Sequence, residues 1–108
     1  MKVKNLNGTS QRTCKCGSWL KHWENFGGCI ATICSVVGCE NSAEVGGHVQ
    51  KVGNDNKWYI IPLCKSCNNK KGQELEIYED TILVSANVSE TCGKGIGKCE
   101  LDRLFNFK

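Results

Sequence analysis

A small α+β domain held together by its cysteines is what the sequence predicts, and three observations carry that prediction. Apolar residues recur at helical spacing behind Ser18, at Trp19, Leu20, Trp23 and Phe26. Two β-rich runs flank the turn-forming tetrapeptide Gly53-Asn54-Asp55-Asn56. Close cysteine pairs bracket that hairpin, Cys34-x4-Cys39 before it and Cys64-x2-Cys67 after it. The chain has 108 residues, a length that fits one domain, and 9 of them are cysteine. A domain of this size buries only about two-thirds of its unfolded surface, so staples besides the apolar core are expected.

Residues 1–13 carry Asn, Gly, Ser, Thr and Gln with few apolar groups, the composition of an extended N-terminal arm, and order is expected to begin at Cys14. Ser18 is placed to cap a helix over residues 19–26, whose apolar groups share one face and which Gly27-Gly28 stops. Two Trp one turn apart beside Leu20 read as core-facing groups and not as a stacking platform for bases. Residues 30–35 are β-rich. Residues 44–52 and 57–63 form the hairpin, with Pro62 near the end of its second strand. The polar stretch 65–72, closed by Gly72, predicts a short helix. Residues 74–77 and 81–84 read as two more short strands around Glu79-Asp80. After Val88 the chain is rich in Gly and Lys, and Leu101, Leu104 and Phe105 are expected to dock a last helical turn. The organisation is thus an arm (1–13), one zinc-binding domain (14–92) and a Gly/Lys-rich tail (93–108), with no internal repeat.

The cysteines set the chemistry. Zinc takes four ligands in a tetrahedron, and pairs spaced two to four residues apart on a tight knuckle supply two ligands each without strain. Gly38 inside the first pair and a helix N-terminus under the second suit that geometry, since a helix end favours the thiolate. Knuckle, hairpin, knuckle and helix in that order make a treble-clef zinc site from Cys34, Cys39, Cys64 and Cys67. A second zinc site can be built on the chelating pair Cys14-x-Cys16, with Cys92 as the first choice of third ligand and His48 or His22 as the fourth. His22 lies close to the pair in sequence, and His48 is flanked by Gly46-Gly47, which suggests close approach of another backbone.

Several function classes fall away. Gly93-Lys94-Gly95-Ile96-Gly97-Lys98-Cys99 invites a phosphate-loop reading, but three residues separate its outer glycines where four are needed and Cys stands where Ser or Thr would hold magnesium, so no nucleotide is expected. Cys64-x2-Cys67 follows a hairpin and lacks the βαβ setting of a redox dithiol. Two histidines offer little acid–base equipment, and no Ser-His-Asp arrangement stands out. No run of 18 apolar residues exists, and Met1-Lys2-Val3-Lys4-Asn5 is not the start of a signal peptide, so neither a membrane span nor a leader is expected. An odd cysteine count fits a disulfide framework poorly, and the expected location is the reducing cytoplasm, or the exterior for a chain already processed.

At Gly46-Gly47-His48-Val49, Ile61-Pro62-Leu63-Cys64 and Cys67-Asn68 the sequence resembles HNH-type nucleases of the ββα-metal group, over about residues 34–72. In that family a catalytic His stands on the first hairpin strand, and the resemblance places it at His48. The rest of the catalytic motif is degenerate: Gly47 stands where an Asp or His precedes the catalytic His, Tyr59 near the family's Asn, and Asn68 where a His follows the second knuckle. Without side chains to hold a metal over the scissile phosphate, the charge-stabilising part of the reaction is missing. Over a wider span, Asn5-Leu6-Asn7-Gly8-Thr9-Ser10, Cys16-Gly17-Ser18-Trp19-Leu20, His22-Trp23, Gly46-Gly47-His48-Val49-Gln50, Trp58-Tyr59-Ile60-Ile61-Pro62 and Val84-Ser85-Ala86-Asn87 are similar to a group of small uncharacterised bacterial proteins. The Cys and Gly-His-Val framework is also similar to zinc-binding secreted effectors of rust fungi. These resemblances imply zinc at more than one site and no established enzyme activity.

The function expected is therefore a zinc-stabilised, non-enzymatic module that binds nucleic acid or protein. Lys51, Lys57, Lys65, Lys70 and Lys71 fall on or near the hairpin and the second knuckle, where phosphates would be met, although a net charge of +3 is weakly basic. The alternative is a metal-dependent endonuclease using His48.

Overall fold

The computed structural model describes residues 1–6, 14–53 and 56–91. Its elements in chain order are β1 (Lys2–Asn5), α1 (Trp19–Gly27), β2 (Val45–Lys51), β3 (Tyr59–Leu63), α2 (Lys65–Asn68), β4 (Glu74–Glu76), β5 (Val84–Ser85) and a 3-10 turn at Val88–Glu90. The strands form one antiparallel five-stranded sheet in the order β4-β1-β2-β3-β5.

The hairpin β2–β3 is the middle of the sheet, and its alternation builds two cores. Val45, Gly47 and Val49 stand opposite Leu63, Ile61 and Tyr59 on one face. Val3, Val49, Ile61, Leu63, Leu75 and Ile77 pack there with Cys34, Cys64 and Cys67. His48 and Gly46 stand opposite Ile60 and Pro62 on the other face, where α1 packs and Trp23, Ile60 and Val84 form a second, smaller core. The sheet thus separates a cysteine-lined core from a tryptophan-lined one.

Helix α1 forms as its sequence predicts. The Ser18 hydroxyl accepts from the Lys21 backbone N–H at 3.0 Å, and Gly28 closes the helix in the left-handed region at φ 81°, its N–H donating to the Glu24 carbonyl. Trp23 is buried and its indole N–H donates to the Ile82 carbonyl at 2.8 Å. The helix comes down directly onto β2 at Gly46: a Cβ there would lie 2.5 Å from the Trp19 carbonyl carbon and 2.6 Å from the Leu20 nitrogen. Both are backbone atoms and cannot rotate away. Gly46→Ala is therefore expected to lift α1 from the sheet and destabilise the fold by about 1–3 kcal/mol, the usual cost of overpacking. Urea denaturation would show it as a lower midpoint, and an unchanged midpoint would refute the close approach.

Four elements depart from the sequence expectation. The arm 1–13 is extended at its start, as expected, but Lys2–Asn5 is the second strand of the sheet, pairing with β2 and β4, so order begins well before Cys14. The β-rich run 30–35 is not a strand; it contributes only isolated bridges, Ile33 to Ser42 and, just beyond it, Val36 to Ile77. Its backbone groups go to several partners: Cys34 N–H to the Asn41 carbonyl, Ser35 N–H to that of Pro62, and the Ser35 carbonyl to Tyr78 N–H. Helix α2 is a single turn where residues 65–72 were expected to be helical, because Gly72, at φ 76°, turns away to donate its N–H to the Asn5 carbonyl at 2.7 Å. Of the two short strands expected after it, 74–77 is found as β4, whereas 81–84 shares only Val84 with β5, and β4 and β5 lie on opposite edges of the sheet and do not pair. Parts of the arm (7–13) and of the hairpin turn (Asn54, Asp55), and the whole tail with its glycine-rich loop and expected last turn, lie outside the described residues. Among the described residues no helix is long and apolar enough to cross a membrane.

Candidate metal centre

The loop before β2 and the junction of β3 with α2 bring Cys34, Cys39, Cys64 and Cys67 together. Their four sulfurs all lie within 4.8 Å of one another. Cys39 Sγ is 3.8 Å from Cys64 Sγ and 4.0 Å from Cys67 Sγ. A disulfide would need about 2.05 Å, whereas a tetrahedron with Zn–S near 2.3 Å has sulfur–sulfur edges of about 3.8 Å. These two edges match that tetrahedron, and the four sulfurs are close enough together to hold a metal ion.

Local structure aims each thiol. Cys64 is the N-cap of α2, and its sulfur accepts from the Cys67 backbone N–H at 3.4 Å and from the Asn41 side-chain amide at 3.7 Å. Gly38, at φ 82°, makes the tight return that brings Cys39 back to the pair, and Cys39 N–H donates to the Val36 carbonyl at 3.0 Å. On the sheet side, Asn5 is fully buried and its amide donates to the Asn68 carbonyl at 2.9 Å and the Cys67 carbonyl at 3.4 Å, tying β1 to the second knuckle.

Electrostatics point the same way. Burial pushes the Cys64 thiol up, but the Cys67 N–H, the Asn41 amide and the neighbouring thiols more than reverse it and bring its pKa down to about 6. Burial raises Cys67 to about 12, with the sulfurs of Cys64 and Cys34 adding to the shift, and burial raises Cys34 as well. One thiolate forms readily and holds its neighbours protonated. A dication at the centre removes that conflict, because it lets all four sulfurs ionise at once.

A second cluster gathers Cys14 Sγ, Cys16 Sγ and a ring nitrogen of His22, again all within 4.8 Å of one another. Cys16 Sγ is 3.9 Å from His22 Nδ1. The other ring nitrogen, Nε2, is 2.9 Å from the Ser85 carbonyl of β5. Burial lowers the His22 pKa, partly offset by that carbonyl, so the ring is neutral at pH 7.

Of the two histidines open to this cluster on sequence grounds, the structure brings His22 to it and not His48. His48 is 4% exposed, on the face of β2 under α1, with its ring 4.6 Å from that of Trp19 and 6.4 Å from that of Trp58. The remaining expected ligand, Cys92, lies outside the described residues, as does Cys99, and Cys29 is exposed and belongs to neither cluster. Asn41 and Ser85, which support the two clusters, were not singled out by sequence reasoning; Asn41 sits two residues past Cys39, where a donor to a knuckle sulfur can be looked for, but nothing around Ser85 announces its role. Compared with family models, with curated proteins and with solved structures, the chain finds no match in any of the three.

Proposed function

We propose that Cys34, Cys39, Cys64 and Cys67 bind one structural zinc ion in a treble-clef arrangement, and that the domain around it is a non-enzymatic module whose lysines meet the phosphates of nucleic acid. The observation that carries the zinc reading is the pair of sulfur–sulfur distances, 3.8 and 4.0 Å, at the edge length of a ZnS4 tetrahedron. Four thiolates close the coordination sphere, so the ion supplies folding energy and leaves no position for a substrate.

The binding reading rests on exposed cations beside that knuckle. Lys65 opens α2, Lys70 and Lys71 follow it, and all three are exposed, as is Lys51 at the end of β2, whose ammonium lies 5.1 Å from the Tyr59 ring centroid. The hydrolytic alternative has less support, since a general base must reach solvent-borne substrate and His48 is covered by Trp19. Fluorescence anisotropy with a labelled DNA duplex is the test. Binding is expected at low salt, with log affinity falling by about 0.9 per phosphate contact for each tenfold rise in salt. The Lys65→Glu/Lys70→Glu/Lys71→Glu variant is expected to lose more than tenfold in affinity. No binding by the zinc-loaded wild type at low salt would reject the nucleic-acid reading and favour a protein partner.

A further inference from the structure

We infer that Cys14, Cys16 and His22 bind a second zinc ion, through two thiolates and Nδ1 of the ring. Among the described residues this cluster shares no ligand with the first, so it can be tested separately.

A backbone carbonyl only accepts, so the 2.9 Å contact of His22 Nε2 with the Ser85 carbonyl places the ring proton on Nε2. In the neutral ring Nδ1 then carries a lone pair, and it faces the sulfur of Cys16. This is the usual second shell of a zinc-bound histidine, in which the nitrogen that does not bind donates to a carbonyl or carboxylate and fixes the ring's orientation. The 3.9 Å separation of Cys16 Sγ and Nδ1 is close to the S–N edge of about 3.6 Å that ordinary Zn–S and Zn–N bonds give.

Burial supports the assignment. His22 is fully buried on the otherwise aromatic flank of α1, its ring 4.9 Å from Trp19 and 5.1 Å from Phe26. Among the described residues, the side chains gathered with its ring as possible metal ligands are those of Cys14 and Cys16, which belong to the turn entering α1, where Gly17 at φ 99° reverses the chain. A zinc ion held there would fasten that turn onto the second core, and through the His22 to Ser85 hydrogen bond onto β5. Cys14 and Cys16 are half-buried, as is Cys39 of the first cluster, whereas His22, Cys34, Cys64 and Cys67 are buried.

Native mass spectrometry of the full chain, purified without chelator, tests the inference. Wild type is expected to carry two zinc ions. The Cys14→Ser/Cys16→Ser variant, whose substitutions lie at half-buried positions, is expected to stay folded and carry one, and His22→Gln is expected to do the same. Cobalt substitution adds a second readout: the d–d bands of wild type should contain a component from a mixed sulfur and nitrogen site that the double variant lacks. A folded wild type with a single zinc ion, or two ions retained in the double variant, would overturn the assignment. The count is read on variants that keep Cys34, Cys39, Cys64 and Cys67, because loss of that site is expected to unfold the chain.

Discussion

Cys64→Ser is expected to abolish the fold, and the reason can be separated from the residue's other duty. Cys64 caps α2, accepting the Cys67 N–H, and serine is among the best N-cap residues, so a purely capping role predicts a neutral or stabilising substitution. A zinc ligand predicts the opposite. A structural zinc ion contributes on the order of 10 kcal/mol to folding, comparable with the whole stability of a small domain, about 5–15 kcal/mol. Losing one of four thiolates removes most of that contribution and leaves the thiols of Cys34, Cys39 and Cys67 around a gap in the larger core. The two-dimensional NMR spectrum of the variant should collapse to unfolded dispersion, and added zinc should not restore it. A dispersed, wild-type-like spectrum from metal-free Cys64→Ser would leave the cluster as packed thiols only.

Trp23→Ala should have the next largest effect, on the opposite face of the sheet. The indole is 5% exposed against Ile60 and Val84, and its N–H satisfies the Ile82 carbonyl at 2.8 Å. Removing it opens a large cavity and takes a donor from that carbonyl, at a cost of about 3–5 kcal/mol. The four-cysteine core on the other face contains none of these atoms, so zinc at Cys34, Cys39, Cys64 and Cys67 should be retained while the urea midpoint falls. A loss below about 1 kcal/mol would mean that α1 is only loosely docked.

What could be read from the sequence was whatever local spacing determines. The helix from Trp19, the hairpin and both cysteine knuckles each announce themselves within a short stretch of chain, and they are where the sequence puts them. What could not be read depends on partners distant in sequence. Lys2–Asn5 alternates exposed and buried, but with Val3 as its only apolar residue and a polar Asn5 in the core it is too short to declare itself, and its neighbours come from residues 45–51 and 74–76. The strands β4 and β5 are close in sequence and far apart in the sheet. Insertion of β1 beside β2 gives β4 a different partner and sends the chain across to the far edge. At residues 30–35, β-branched side chains suggested a strand, yet Ile30 is 73% exposed and the segment serves to carry Cys34 into the core.

The choice between the two histidines was open for the same reason. His22 stands beside Trp23 and His48 beside Gly47 in sequence, and only packing decides that His48 goes under Trp19 while His22 turns its Nδ1 toward Cys16. Gly46 was the legible part of that packing. The doublet Gly46-Gly47 suggested close backbone approach, and the backbone that approaches is the first turn of α1.

Zinc-edge X-ray absorption on the Cys14→Ser/Cys16→Ser protein tests the central claim most directly, because it isolates the Cys34, Cys39, Cys64 and Cys67 cluster. One zinc ion per chain is expected, with a single shell of about four sulfurs near 2.3 Å. A folded protein without zinc, or a shell containing nitrogen or oxygen donors, would contradict it.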